Sequence, residues 1–212
     1  MGKKIAQIIL AALIVALVWV IYVQIDTPIT FERDRDARKA KVIERIKDIR
    51  AAERAFNKKY QRFTADFDSL INFVLYDSIE GERKIFDDYD SVNLALLKKA
   101  GKKNVEKFTV AVIDTIFSPR KLTEEEVRNL RYIPWTNNQT EFILEAGKLE
   151  TESKLVIPVV ECRAPYIAFL DTVKYRQEVI NYVDEETNNY NRYAGVKFGS
   201  MEGGNNEAGN WE

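Results

Sequence analysis

The sequence contains no histidine and a single cysteine, Cys162. A histidine general base, a serine–histidine or cysteine–histidine nucleophile pair and a zinc site built from cysteine and histidine therefore lack the residues that form them. One cysteine also excludes a disulfide within the chain. Because Cys162 lies in an apolar run, we expect it to be a small buried hydrophobic residue.

An excess of positive charge is also missing. The 32 lysines and arginines are balanced by 33 acidic residues, which gives a formal net charge of −1. No basic surplus is present to neutralise phosphates, so we expect no nucleic-acid partner. No glycine-rich phosphate loop follows a predicted strand either, and we expect neither catalytic nor cofactor-binding residues.

One apolar run dominates the start of the sequence. Residues 5–23 contain Gln7 as their only polar side chain, and this length is close to the ~20 residues that a helix needs to cross a bilayer. Trp19 and Tyr22 suit the membrane interface at its far end. No small-residue cleavage site follows, so the run predicts an uncleaved transmembrane helix.

The basic residues around this run give opposing signals for topology. Lys3 and Lys4 favour a cytoplasmic N-terminus, whereas five basic residues at positions 33–41 favour the reverse. Residues 24–32 contain no basic residue, and the later arginines alternate with acids, as on a salt-bridged helix surface. We therefore expect residues 1–4 to be cytoplasmic and the C-terminal domain to be exported.

The next stretch predicts a broken helix and then a helical hairpin. Pro28 predicts a break, so residues 24–41 are interpreted as a hinge and a charged, solvated stalk. From residue 42 onward one helical face is apolar, which predicts a core-facing helix. That face consists of Val42, Ile46, Ile49, Ala52, Phe56 and Tyr60. A short second helix follows, with Thr64 or Asp66 as its N-cap.

Shorter elements complete a predicted α+β domain over residues 42–194. Residues 77–104 are polar and predict an irregular connection with a short helix that ends at Gly101. Three strand-like runs follow, and Pro158 places the last at an edge or a bulge. Thr123 and Glu126 predict a capped helix, and residues 176–189 predict another. Residues 195–212 are rich in glycine and asparagine and predict a loop or tail that Trp211 could pin to the domain.

Two sets of side chains are candidates for binding. Asp184, Glu185 and Asn188 offer oxygen ligands for calcium, although a solvated helix end explains them more simply, because their spacing matches no EF-hand loop. The partner-docking candidates are Arg35, Arg38, Trp135 and Trp211.

The apolar helix, the amphipathic helix after it and the run AAERAFNKKYQRFTADFDSLINF resemble the type IV pilin and type II secretion pseudopilin superfamily. The residues that carry the resemblance are Ala52, Phe56, Tyr60, Phe63 and Leu70. It covers about the first 75 residues and implies a small antiparallel sheet after the helices. Family members carry an acidic residue inside the apolar helix, whereas this apolar run contains Gln7 and no acid.

The resemblance implies a pseudopilin-like periplasmic domain on a permanent anchor in the bacterial inner membrane. Its function would be non-enzymatic: a component of an envelope secretion or pilus-assembly machine that acts through protein–protein contacts, with the lipid bilayer, other subunits or further copies of the chain as partners. The alternative is a membrane-tethered periplasmic sensor or substrate-binding module. An enzyme is a third possibility.

Overall fold

A single long helix forms the first third of the described structure. The computed structural model describes residues 2–87, 89–101, 103–118 and 120–212, and α1 (Gly2–Tyr60) is one α-helix throughout. Its most apolar 18-residue window has a mean hydropathy of 2.8 and none of that window is buried. By length and composition α1 is therefore able to cross a membrane.

The predicted break near Pro28 is wrong, because α1 continues through it. Proline removes one backbone donor and usually kinks or ends a helix. Here the hydroxyl of Thr27 donates a 2.7 Å hydrogen bond to the Val23 carbonyl, and the hydroxyl of Thr30 donates a 3.0 Å bond to the Asp26 carbonyl. Each of these bonds spans one helical turn, so the hydroxyls follow helical geometry on both sides of Pro28, and neither replaces the hydrogen bond that the Gln24 carbonyl loses.

The second half of α1 lies in the core of the domain. The predicted apolar face is confirmed, since Val42, Ile46, Ile49 and Ala52 are fully buried and Phe56 is 5% exposed. Tyr60, at the end of the helix, is instead exposed.

The prediction of a solvated stalk over residues 24–41 is wrong from Phe31 onward. Phe31 is 6% exposed, and its ring packs against Tyr175 at a centroid distance of 5.5 Å. The charged part of α1 that begins at Phe31 therefore packs against the domain, through aromatic residues such as Tyr175 that lie far along the chain.

The helical hairpin is confirmed. α2 (Phe67–Tyr76) begins after Asp66, whose carboxylate accepts the backbone N–H groups of Asp68 and Ser69. The Phe73 ring of α2 packs edge-on against Phe56 of α1, with centroids 5.2 Å apart.

Small elements connect the hairpin to the main sheet. The prediction of an irregular segment at 77–104 is partly wrong, because β1 (Ser78–Arg83) pairs antiparallel with β2 (Glu106–Ala111). The short helix before Gly101 is confirmed as α3 (Ser91–Lys99), and Gly101 has the expected positive φ of 68°. The remaining helices here are α4 (Val112–Ile116), α5 (Glu124–Arg128) with its predicted capping box, and a 3₁₀ turn at Asn129–Arg131.

The main sheet is antiparallel and three-stranded, with the order β3-β4-β5, so the α+β class is confirmed. Its strands are β3 (Ile143–Glu150), β4 (Val156–Pro165) and β5 (Gly195–Gly199). β5 pairs with the Glu161–Pro165 part of β4, so among the described strands Pro158 of β4 is paired with β3 alone. Between β4 and β5 lie α6 (Tyr166–Phe169), α7 (Arg176–Asp184) and a π-helical turn at Glu185–Asn189.

The interpretation of residues 195–212 as a loop or tail is wrong for β5. Val196 and Phe198 alternate into the core and are fully buried. Gly199 has φ +76°, and a Cβ there would lie 1.9 Å from the Val160 carbonyl oxygen, so only glycine allows the strand to approach β4 this closely.

Candidate functional site on the arginine and aromatic face of alpha1

Arg38 joins α1 to the middle of the domain. Its Nη1 donates a 2.9 Å hydrogen bond to the Phe169 carbonyl at the end of α6, and its Nε donates a 2.8 Å bond to Asp34. Its guanidinium also lies 5.2 Å from the Trp135 ring centroid, in cation–π geometry. The side chain is 18% exposed, so it forms part of an internal contact.

Arg35 makes a similar contact one turn earlier. Its guanidinium lies 4.9 Å from the centroid of the Tyr182 ring, and Tyr182 in turn packs on Tyr166 at 4.9 Å. Its Nε donates a 2.9 Å bond to Asp36. Arg35 and Arg38, predicted to face partners from a free stalk, therefore bind their own domain.

Trp211 pins the C-terminal segment, as predicted. Its ring packs against the core and lies 5.5 Å from the Arg50 guanidinium. Arg50 also forms a 2.6 Å ion pair with Glu212, and Arg54 forms a 3.0 Å ion pair with Glu207. This tryptophan is half-buried and acts within the fold.

Trp135 is the docking candidate that the structure leaves open. It is 57% exposed and has a left-handed backbone with φ 73°. It stands on the rim of a cleft of about 270 Å³ between α1 and α5, here named the Trp135 cleft. The cleft is lined by Lys41, Glu44, Arg45, Asp48, Arg120, Leu122, Glu126, Leu130, Pro134 and Trp135.

Charges of both signs meet in the Trp135 cleft. Arg120 forms ion pairs with the buried Asp48 and, at 3.0 Å, with Glu44. Burial raises the pKa of the Asp48 carboxyl, and the Arg120 guanidinium opposes that rise. Arg45 donates 3.3 and 3.0 Å bonds to the carbonyls of Asn129, the first residue of the 3₁₀ turn, and of Tyr132, the residue after it. The cleft floor is thus fixed by internal pairs, and its exposed rim offers an aromatic ring beside lysine and arginine.

Glu53 is a fully buried acidic residue that the sequence reasoning missed, besides the less deeply buried Asp48 and Glu161. It is fully buried in α1, where its Oε2 accepts a 3.1 Å hydrogen bond from the Thr64 backbone N–H. Its Oε1 has no hydrogen-bond partner among the described residues. Burial raises the pKa of Glu53 to about 8. Its position four residues after Ile49, on the apolar face, was the available signal.

The calcium candidates Asp184, Glu185 and Asn188 are hydrogen-bonded to other side chains of the same segment. Asn188 donates a hydrogen bond to the Asp184 carboxylate, and the Tyr190 hydroxyl donates a 3.2 Å bond to Glu185. Within the described ranges, no group of three or more acidic or cysteine side chains is arranged to hold a metal ion. Asp184 and Asn188 instead bind each other along the last turns of this helix.

Cys162 is fully buried in β4, as predicted. Burial raises the pKa of its thiol well above the ordinary value, and the charge of nearby Glu53 adds to the rise. A thiol in this environment stays protonated and is a poor nucleophile. It is a packing residue beneath α1.

On this face of α1, most of the described arginines therefore contact their own domain through hydrogen bonds, ion pairs and cation–π contacts, and Trp135 remains exposed beside them. Comparison with known proteins found no matching protein family, no matching curated protein and no matching solved structure.

Proposed function

We propose that this chain is a membrane-anchored, non-enzymatic assembly protein, a pseudopilin-like component of a bacterial envelope secretion or pilus-assembly machine. The observation that carries the proposal is the division of α1: its first part exposes apolar side chains, and its last part is the core of the domain. At 1.5 Å per residue, a helix of 59 residues is about 88 Å long. Such a helix links a membrane segment rigidly to a water-soluble domain.

Assembly through this helix follows from its surface. The exposed apolar side chains between Ile5 and Val23 can be covered by lipid or by the apolar helices of neighbouring subunits. Arg35 and Arg38 hold the domain against the same helix through non-covalent contacts. A shift of α1 against neighbouring helices would therefore move the whole domain with it. This supports a role as a structural subunit or scaffold.

Contacts of the domain with partners are assigned to the Trp135 cleft. Arg35, Arg38 and Trp211 are occupied within the fold, whereas Trp135 contacts Arg38 but leaves more than half of its side chain exposed. Exposed tryptophan and arginine are the residue types that dominate binding energy at protein interfaces. The proposed partners are other subunits of the machine or further copies of this chain, together with the lipid bilayer.

The proposed location is the bacterial inner membrane, with residues 1–4 cytoplasmic and the domain periplasmic, based on Lys3 and Lys4. An alkaline phosphatase fused after Glu212 tests this topology, since it is active only outside the cytoplasm. Activity is expected. If the alkaline phosphatase fusion were inactive and a reporter that works only in the cytoplasm were active at the same position, the proposed topology and the secretion role would both be contradicted.

Site-specific photocrosslinking tests the partner contact. A photoreactive amino acid replaces Trp135 in the full-length chain in its native host, and the matched control carries it at the exposed Glu152 of the β3–β4 turn. We expect adducts with a membrane protein or a second copy from position 135 alone. Equal labelling from both positions would contradict the proposed interface, and a monomer that retains a small molecule on mild extraction would favour the sensor or binding module.

A further inference from the structure

An apolar patch lies on the outer side of α6 and α7. Ile167, Val173 and Ile180 are 63, 93 and 50% exposed, and with Val183 they border one open cleft of about 800 Å³. We name these four residues the α7 patch. Single exposed apolar residues are common on proteins, but a group around one cleft usually marks a binding surface.

The α7 patch lies at the end of the domain that is nearest to the apolar part of α1. Asp171 is 3.6 Å from Arg38, whereas Tyr175 packs on Phe31 and shares a side-chain hydrogen bond with Thr30. The segment 171–175 therefore descends along α1 by about two turns, or roughly 10 Å, towards the predicted membrane. Val173 lies within this descending segment.

The remaining distance to the bilayer is short. Thr30 follows Val23 by seven residues, or about 10 Å of helix, and the headgroup layer on each side of a bilayer is roughly 5 to 8 Å thick. The exposed apolar residues Ile25 and Ile29 continue past Val23. A helix tilt of about 20°, the average for membrane helices, would bring one side of the domain nearer still.

The residues beside Val173 suit this position. Lys174 and Arg176 are exposed on either side of Tyr175. Apolar side chains flanked by cations are typical of segments that lie in the interface of a membrane with anionic lipids.

We propose that the α7 patch rests in the phospholipid headgroup layer of the same membrane that α1 crosses. The inference depends on the proposed membrane anchor. It gives the domain a second lipid contact besides α1, and two contacts fix its tilt and rotation relative to the bilayer. The Trp135 cleft would then face a constant direction along the membrane surface.

Spin-label accessibility in full-length protein tests this contact. Cys162 is buried, so an introduced cysteine is the reactive one. Val173→Cys, Val156→Cys and Leu17→Cys are labelled separately in nanodiscs that contain phosphatidylcholine and phosphatidylglycerol. Val156 is the matched control, an exposed valine at the start of β4, and Leu17 lies within the apolar run. Collision rates are then measured with oxygen, which concentrates in lipid, and with a water-soluble nickel chelate.

The label at 173 should show an oxygen-to-nickel ratio several-fold above that at 156 and closer to that at 17. A water-like ratio at 173, with a lipid-like ratio at 17, would overturn the inference but leave the anchor intact. Protection of position 173 from both reagents would also overturn it and indicate a protein cover. A water-like ratio at 17 would instead refute the anchor itself.

Discussion

The backbone N–H of Thr64 donates a 3.1 Å hydrogen bond to Oε2 of the carboxyl group of Glu53, a fully buried side chain of α1. This contact joins the long helix to the turn that leads into α2. Among the described residues no cation shifts the pKa of Glu53, and burial raises the pKa of its carboxyl to about 8. The buried position therefore favours the protonated form of Glu53 in the folded protein, whereas the Thr64 hydrogen bond opposes that preference.

Glu53 predicts a fall in stability as the pH rises. The ordinary pKa of 4.5 applies in the unfolded chain, and the folded value is about 8. Below pH 4.5 both states are protonated and there is no penalty. Between these values the unfolded state loses its proton first, so the free energy of unfolding decreases with pH, by roughly several kcal/mol in all, and levels off above pH 8.

Glu53→Gln keeps an acceptor for the Thr64 N–H and removes the ionisation. We expect the variant to lose less stability than wild type between pH 5 and 9 and to melt higher at pH 9, as followed by circular dichroism of the full chain in detergent. The control is Glu152→Gln, an exposed acid that should follow wild type. Equal pH slopes for Glu53→Gln and wild type would refute the role of Glu53.

Arg38→Glu is expected to destabilise the domain. It removes the bond to the Phe169 carbonyl and places a carboxylate near Asp34 and Asp171, at a cost of about 2 kcal/mol. Arg33→Glu makes the same charge reversal at an exposed position of the same helix and should cost less than about 1 kcal/mol. Thermal unfolding compares the two, and equal melting temperatures would mean that the Arg38 contacts contribute nothing.

Alanine substitutions of Trp211 and Trp135, the two tryptophans outside the apolar run, should lower the stability of the domain by different amounts. Trp211→Ala removes packing against the core and the contact with Arg50, so we expect a loss of about 2 kcal/mol or more and faster proteolysis of the C-terminal segment. Trp135→Ala removes a ring that is 57% exposed together with its contact to Arg38, so we expect a clearly smaller fall in the melting temperature. The reverse order of melting temperatures would contradict both assignments.

Ile49→Asp should unfold the domain. Ile49 is fully buried in α1, and an unpaired buried charge costs several kcal/mol of the ~5 to 15 kcal/mol that stabilise a typical domain. Lys47→Asp introduces the same residue two positions earlier on the exposed side and should fold normally. The two variants are compared by their yield and by thermal unfolding, followed by circular dichroism in detergent. If Ile49→Asp unfolded at the same temperature as the wild type, Ile49 would not lie in the core described above.

Elements that are determined by neighbouring residues could be predicted from the sequence. The buried face of α1 was visible in the spacing of Val42, Ile46 and Ile49. The cap of α2 was narrowed to Thr64 or Asp66, of which Asp66 is the cap, and the cap of α5 was predicted at Thr123. These predictions rest on helix periodicity and on side-chain acceptors for free N–H groups, which need no knowledge of the rest of the chain.

Features that depend on distant residues were not predictable in this way. The sequence around Arg38 consists of charges and predicts solvation, because Phe169 and Trp135 lie far along the chain. The glycines at the ends of β5 predict a loop, whereas close approach to β4 requires Gly199. Pro28 predicts a break, whereas α1 is continuous there and buries Phe31 against the domain less than one turn later.

The continuity of α1 is the central claim, because it connects the apolar segment to the core. Pulsed electron paramagnetic resonance measures it as the distance between spin labels at Leu17→Cys and Lys47→Cys, two exposed positions on either side of Pro28. In full-length protein in nanodiscs, an unbroken helix predicts one narrow distribution centred near about 45 Å. A broad distribution, or one near ~33 Å as expected for a right-angled turn at Pro28, would contradict the account.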